Sequence, residues 1–466
     1  MPTRNIPALF SMGRKNTPSF VNQPAKANHF RWLWLGFGLT GIAMLSATAG
    51  ALLAVSLSTK PLMQSQLSAE EAAVFSQGDI SNSNLRLPEL TRPVNILVLG
   101  IKTLPSDVGQ PVDPALGYQP VLNSFEGLSD TMLLLRFNPQ TRKLVLLSVP
   151  RDTRTYIEGH GVTKINAANG FGGPALSARA VSNLLGGIRI DRYVRINVLG
   201  VEKLVDALGG VTIYVPQDMK YKDDSQHLYI DFKAGKQHLN GAQLQNFLRF
   251  RYDGLGDIGR VQRQQMAMRA LAEQALNPAT LGRVPQILSV IQSHIDTNLT
   301  VEELVALVGF GVKTDRADVQ MLMVPGEFSN ERQFDASYWL PNRRGIEKLV
   351  TQYFDNERSE EEQVSTSFNS KRLRIAIKDS TGDPAAAQEL ATKLRESGYR
   401  NVFVAQPWPE PLAQTRIVAQ QGDPSSADAV RESLQFGDVI VESTGDLKSD
   451  ITIKLGKDWL QRKESN

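Results

Sequence analysis

Cysteine is absent from all 466 residues, which excludes disulfides, thiol nucleophiles and cysteine-ligated zinc. Histidine is scarce: five scattered copies and no HExxH pattern leave little from which to build a histidine zinc site. A strong excess of charge is also missing. The formal net charge is only +3, short of the basic balance of a typical nucleic-acid binder, and no nucleic-acid partner is expected. At 41% hydrophobic and 21% charged residues, the chain has the make-up of ordinary globular domains, not of a disordered one. Its length suits two or three domains.

Long uncharged runs are lacking as well, with one exception. From Trp32 to Ser58 the chain reads WLWLGFGLTGIAMLSATAGALLAVSLS, 27 residues without a charge. A bilayer core needs about 20 helical residues, whereas the apolar core of a secretory signal runs to only about 15. Trp32 and Trp34 lie where an interfacial aromatic belt would sit. Arg4, Arg14, Lys15, Lys26 and Arg31 precede the run, and no acidic residue occurs before Glu70. The positive-inside rule then predicts a cytoplasmic tail over 1–31, a single membrane span over 32–58 and an extracytoplasmic body. The protein is accordingly expected in the cell membrane.

Past the span, 59–92 is polar and reads as a spacer, with a helical tendency at SAEEAAVF. Apolar strands follow at PVNILVLG (93–100), TMLLLRF (131–137) and KLVLLSVP (143–150), with a Pro/Gly-rich loop over 104–127. Helical and strand-like segments then alternate: a helix from Pro174, a strand at DRYVRINV, a strand at VTIYVP, helices over 240–250, 262–276, 283–295 and 300–312, and a late strand at MLMVPG. This mixture predicts a layered α-β-α domain over 93–354. Residues 355–371 are polar and charged and read as a linker. Beyond them, a βαβ-like unit, a second helix and a closing strand predict a small α/β domain over 372–466.

Charged residues concentrate where strands end, and ligands of open α/β sheets gather there. LSDT puts Asp130 just before a strand, and SVPRDT puts Arg151 and Asp152 just after one. KIN adds Lys164 and Asn166 in a loop. RFRYDGLGDIGRVQRQ adds Arg249, Arg251, Asp257, Arg260, Arg263 and Gln264. Arg260 and Arg263, three apart on a helix, share a face. Arg249 and Arg251 can converge only if their helix ends there, which Gly254, Gly256 and Gly259 would permit. Arginine forks match phosphate oxygens with paired N–H groups and a charge that does not titrate. Five arginines around one pocket suit a pyrophosphate, with Asp130 holding a divalent metal or accepting a proton. Taken singly, each piece has a plainer reading: a strand-end aspartate is usually a turn or cap residue, and Arg151 could simply pair with Asp152.

In their order along the chain, NILVLG, SDTMLLLRFNP, LLSVPRDT, KINAANGFGG, ALGGVTIYV and FLRFRYDGLGDIGRVQRQQ resemble the LytR–CpsA–Psr family of cell-envelope proteins, over roughly 93–330. The segment from RIAIKDSTG to TIKLGKDWL looks like the LytR-type C-terminal domain often found behind it. The resemblance implies a phosphotransferase that moves a glycopolymer from a polyprenyl-pyrophosphate carrier to peptidoglycan or another envelope acceptor. The lipid would lie in an apolar tunnel. By motif it implies catalytic roles for Asp130, Arg151, Arg249, Arg251, Arg260 and Arg263, and substrate-binding roles for Lys102, Asp152, Lys164, Asn166, Asp257 and Gln264. Asp130 would also be the ligand of a Mg2+ ion. Two departures accompany the match. Lys102 stands near the point where the family usually has an acidic second metal ligand, and Leu128 where it commonly has arginine. A non-catalytic protein that binds polyprenyl phosphate or organises envelope enzymes is the alternative these departures keep open.

Overall fold

The computed structural model describes residues 62–76, 78–82, 88–102, 124–224, 228–250, 252, 256–330, 332–354 and 372–465. The predicted tail, span and linker, and most of the 104–127 loop, lie outside them. Among the described residues, no helix is long and apolar enough to cross a membrane.

A six-stranded mixed sheet forms the frame of the larger domain. Its strands are β1 (Val94–Lys102), β2 (Leu128–Asn138), β3 (Lys143–Ser148), β6 (Arg192–Asn197), β7 (Ile295–Thr297) and β8 (Val319–Met323), in the order β7-β6-β1-β2-β3-β8. A two-stranded ribbon, β4 (Arg154–Ile157) with β5 (Gly161–Lys164), stands outside the sheet. β1 runs parallel to β6, and β3 parallel to β8, while β2 is antiparallel to both of its neighbours. The C-terminal ends of β1, β3, β6 and β8 and the start of β2 therefore fall on one side of the sheet.

Strand alternation assigns the two faces. Leu97, Leu99, Met132, Leu134, Val145 and Leu147 point to a core covered by α1 (Ala167–Leu184) and α7 (Arg343–Tyr353). The helix expected from Pro174 begins seven residues earlier and is broken at Gly172 and Gly173. Gly173 holds φ +60°, a left-handed conformation costly for other residues, and Pro174 restarts the helix. Near the other face, α4 (Gly256–Ala275) approaches β3 and β8, where Gln265 and Met268 line cavities with Leu146, Met321 and Met323. A separate core there joins α2 (Val198–Leu208), α3 (Gly241–Arg249), α4 and two two-stranded ribbons, one nested within the other in sequence. Helices α5 (Val284–His294) and α6 (Val301–Lys313) match the two amphipathic stretches. The architecture is α/β, and helices pack on both faces of its sheet.

The predicted spacer does more than space. A single helical turn, Ala69–Ala72, lies within SAEEAAVF, and Phe75 and Ile80 behind it are buried. Ser65 donates two hydrogen bonds to Asp296 on β7, at 2.6 and 2.9 Å, and Thr297 donates its amide to the Met63 carbonyl at 2.9 Å. Arg195 donates from Nε to the same Asp296 carboxylate at 2.5 Å. A buried arginine–aspartate pair needs further hydrogen bonds to offset its desolvation, and the polar segment provides them.

The smaller domain has a five-stranded sheet, β9 (Arg374–Asp379), β10 (Asn401–Val404), β11 (Arg416–Ala419), β12 (Asp438–Ile440) and β13 (Ile451–Leu455), in the order β10-β9-β13-β11-β12. Helices α8 (Ala386–Glu396) and α9 (Pro424–Leu434) pack on it. The strand expected to close the sheet lies at its centre. Every residue of β13 is buried, which suits an inner strand and not an edge.

Candidate phosphate-binding site

The turn after β3 and the start of β2 meet at the sheet end where most strands finish. Thr153 donates its amide to the Pro150 carbonyl at 2.9 Å, closing a tight turn that projects Arg151 and Asp152 from the end of β3. Close by, β1 passes β2 at Gly100, where an added Cβ would lie 3.0 Å from the Thr131 Cβ. Beyond it the register shifts between Gly100 and Ile101, and this irregularity lies beside Asp130.

Asp152 is the hub. Its Oδ1 accepts from Lys164 Nζ at 2.8 Å, and its Oδ2 accepts from Arg260 Nη2 at 2.9 Å and from Arg151 Nε at 3.3 Å. Arg151 Nη1 donates to Asp130 Oδ1 at 2.5 Å. Gln264 reaches the Asp130 backbone carbonyl at 3.4 Å. Trp339 donates its amide to the Asp152 carbonyl at 2.9 Å and its indole N–H to the Val324 carbonyl at 3.1 Å, which fixes the hub from behind. Burial pushes the Asp152 carboxyl up. The Lys164 hydrogen bond and the charges of Arg151, Lys164 and Arg260 outweigh it and hold the group below the usual carboxylate range. Burial likewise works against the Arg151 charge, but Asp130 and Asp152 raise its pKa above the ordinary arginine value.

Three cations and two carboxylates leave the cluster with a net charge of +1. It is prepaired, and an incoming phosphate would exchange with carboxylates already holding the donors in place. Apolar walls complete the pocket, among them Met132, Val149, Met268, Met323, Phe328 and Trp339. Asp130 keeps a second carboxylate oxygen, Oδ2, which no described group hydrogen-bonds. Among the described residues, no group of three or more His, Asp or Glu side chains could hold a metal.

Of the residues singled out from sequence, the structure brings together Asp130, Arg151, Asp152, Lys164, Arg260 and Gln264. Arg263 is placed differently. It is 3% exposed, it donates to the Phe250 carbonyl, and its guanidinium lies 5.9 Å from the Phe250 ring centroid. Helix α3 ends at Arg249, and Phe250 adopts an extended backbone, which leaves carbonyls without intrahelical partners. Arg263 serves that helix end instead of lining the pocket. The ending of α3 fits the expectation; Gly254 lies outside the described residues, Gly256 is the first residue of α4, and Gly259 lies inside that helix. Arg249 sits in the last turn of α3, outside the pocket lining.

Asn166 contributes through its backbone: its amide donates to the Arg151 carbonyl at 3.2 Å, and its carbonyl accepts from Ser129 at 3.1 Å. Lys102 pairs across the ladder with Leu128, so the two departures from the motif pattern face each other. Arg251 and the side chain of Asp257 lie outside the described residues. The sequence reading missed Gln265, Met268, Met323, Phe328 and Trp339. For Met268 a signal existed, since residues 260, 264 and 268 recur at four-residue spacing on one helical face. Trp339 gave none.

The LytR_cpsA_psr family matches residues 58–355. The chain belongs to the LytR-CpsA-Psr family. A second match, described as LytR cell envelope-related transcriptional attenuator, covers residues 372–459. Among curated LytR-CpsA-Psr relatives, the polyisoprenyl-teichoic acid–peptidoglycan teichoic acid transferase TagU of Bacillus cereus is 33% identical over 216 residues. That alignment covers 46% of this chain and 63% of TagU, so the match spans less than two thirds of the relative's own length. The regulatory protein MsrR of Staphylococcus aureus is 30% identical over 235 residues, covering 49% of this chain and 70% of MsrR. The crystal structure of Bacillus subtilis TagV is 27% identical with a TM-score of 0.46, covering 56% of this chain and 96% of TagV.

Proposed function

We propose that this LytR-CpsA-Psr protein is a membrane-anchored phosphotransferase. It moves a glycopolymer from a polyprenyl-pyrophosphate carrier to peptidoglycan or another envelope acceptor. The observation that carries the reading is the convergence of Arg151, Lys164 and Arg260 on Asp152, beside Asp130, at the strand-end side of the sheet. Such a cluster offers fixed donors for phosphate oxygens, and phosphoryl transfer depends mainly on positioning and charge stabilisation. The name of TagU, a teichoic acid transferase acting on peptidoglycan, is consistent with this substrate class.

In the proposed reaction, an acceptor hydroxyl oxygen attacks the sugar-side phosphorus. A new P–O bond forms, the bond to the bridging oxygen breaks, and polyprenyl phosphate leaves. The hydroxyl proton passes to Asp130. Arg151 and Arg260 exchange carboxylate contacts for phosphate oxygens, and Lys164 balances the leaving phosphate. Met132, Met268, Met323 and Phe328 present apolar surface to the first prenyl units. Mg2+ binding is the alternative use of Asp130 and fits only in a reduced form: Oδ2 of Asp130 would be the one protein ligand, and phosphate oxygens and water would complete the shell, as Mg2+ commonly allows. The acceptor proton would then pass to water instead of to Asp130. Bound there, the ion would supply further charge neutralisation.

The test is to give the full chain a lipid-linked pyrophosphoryl glycan and a peptidoglycan fragment, then look for the phosphodiester product with and without Mg2+. Product that disappears in Arg151→Ala supports the reading. Tight lipid binding without product favours the non-catalytic alternative, for which the Lys102–Leu128 pair beside Asp130 is the motivating observation.

A further inference from the structure

Helix α4 has two working faces set one residue apart. Arg260, Gln264 and Met268 line the phosphate pocket. Gln265 and Met268 also line a second cavity, with Met321, Leu322, Ser443 and Thr444, at the seam between the two domains. Arg269 and Glu273 continue along the seam side. Across it, segment 441–443 of the smaller domain extends the large sheet beyond β8. Met321 donates its amide to the Val441 carbonyl at 3.3 Å, and Ser443 donates to the Met321 carbonyl at 2.6 Å. Met323 donates to Ser443 Oγ at 2.9 Å. β8 and α4 are both walls of the pocket, and the smaller domain holds both.

Glu442 sits at the centre of this seam, 7% exposed. Its carboxylate lies 3.9 Å from Arg269 Nη1 and 3.9 Å from Arg316 Nη2. Both arginines also pair with Glu273, and Arg269 does so at 3.0 Å. Behind Glu442, Thr444 donates to its Oε2 at 2.9 Å, and the fully buried Lys454 donates to Thr444 at 2.8 Å. Burial works against the Glu442 charge, but Arg269, Lys454 and Arg316 hold the carboxyl below its usual range. A buried carboxylate is costly unless its partners stay in place, so its presence ties the position of α4 to the smaller domain.

We propose that Glu442 is a positioning residue: through Arg269 it fixes α4 and so sets Arg260 and Gln264 in the phosphate pocket. The smaller domain is then part of the active unit and not an appended module. The catalytic consequence rests on the transferase reading, while the structural coupling does not.

The test compares hydrogen exchange in the full chain and in Glu442→Gln. Segment 257–269 should exchange about tenfold faster in the variant, with β1 and β2 unchanged. Unaltered exchange over 257–269 overturns the proposal. Should Glu442→Gln fail to fold, Glu442→Asp, which draws the carboxylate back from Arg269, is compared in the same way, and unaltered exchange over 257–269 there overturns the proposal. In the transfer assay, Glu442→Gln should lower kcat about tenfold with KM unchanged, and Glu442→Asp should recover part of the loss. An exchange response in a chain whose wild type makes no product leaves the coupling standing and sinks the transferase reading. Product formed at wild-type kcat by a variant with faster exchange removes the positioning role.

Discussion

Replacing Asp152 with alanine would leave Arg151, Lys164 and Arg260 facing one another across a half-buried pocket. Removing one partner of a buried ion pair typically costs about 3–5 kcal/mol. Here the Lys164 and Arg260 side chains remain 30% and 11% exposed, so solvent screening brings the expectation to the lower end or below. A urea titration of Asp152→Ala measures it, and turnover should fall much further than stability. Because its neighbours hold the Asp152 carboxyl below the ordinary value, its contribution to stability is fully present above about pH 4. It is lost as pH falls through the lower native value. Acid unfolding of wild type and Asp152→Asn should therefore converge. Arg263 offers a contrast. Since it serves the end of α3 and not the pocket, Arg263→Ala should lower stability by about 1–3 kcal/mol and affect the transfer rate mainly through that loss. A kcat reduced at full folding would contradict this assignment.

Among elements, the strands were the most legible. NILVLG, TMLLLRF and KLVLLS are apolar runs of strand length, and burial on both faces is what such runs encode. The helix starts were not. Gly256 and Gly259 lower helix propensity, so the pattern favours a start near 262, yet α4 begins at Gly256, and its early turns carry the tertiary contacts of Arg260 with Asp152 and of Arg263 with the Phe250 carbonyl. Tertiary contacts outweigh the local cost. The same logic explains the site. Asp130, Arg151, Asp152 and Arg260 were legible because their motifs sit at strand and helix ends. The inward turn of Arg263 and the role of Trp339 depend on which carbonyls are left unpaired in the folded chain, which no local pattern states. Gly173 provides a test at this scale: with φ +60°, Gly173→Ala should cost about 1 kcal/mol or more, read as a shift in the urea midpoint.

For the whole molecule, Lys454 makes the stability of the smaller domain depend on alkalinity. Burial brings its ammonium down to about 7, against the pull of Glu442 and with Arg269, Arg416 and Lys378 adding repulsion. The unfolded chain holds this proton to a much higher pH, so stability should rise between about pH 7 and pH 10. Thermal unfolding across that range should show the rise in wild type and not in Lys454→Met. The N-terminal strap has a consequence of another kind. Met63 and Ser65 are laced to the edge strand β7 by bonds that run to Thr297 and Asp296. A chain pulled from its N-terminus would therefore have no slack to take up at 62–65. The load would pass straight into β7 and, through Arg195, into its neighbour β6. Tension on the leading segment would thus be felt by the frame that carries the pocket, and single-molecule pulling should find its first rupture at this lacing.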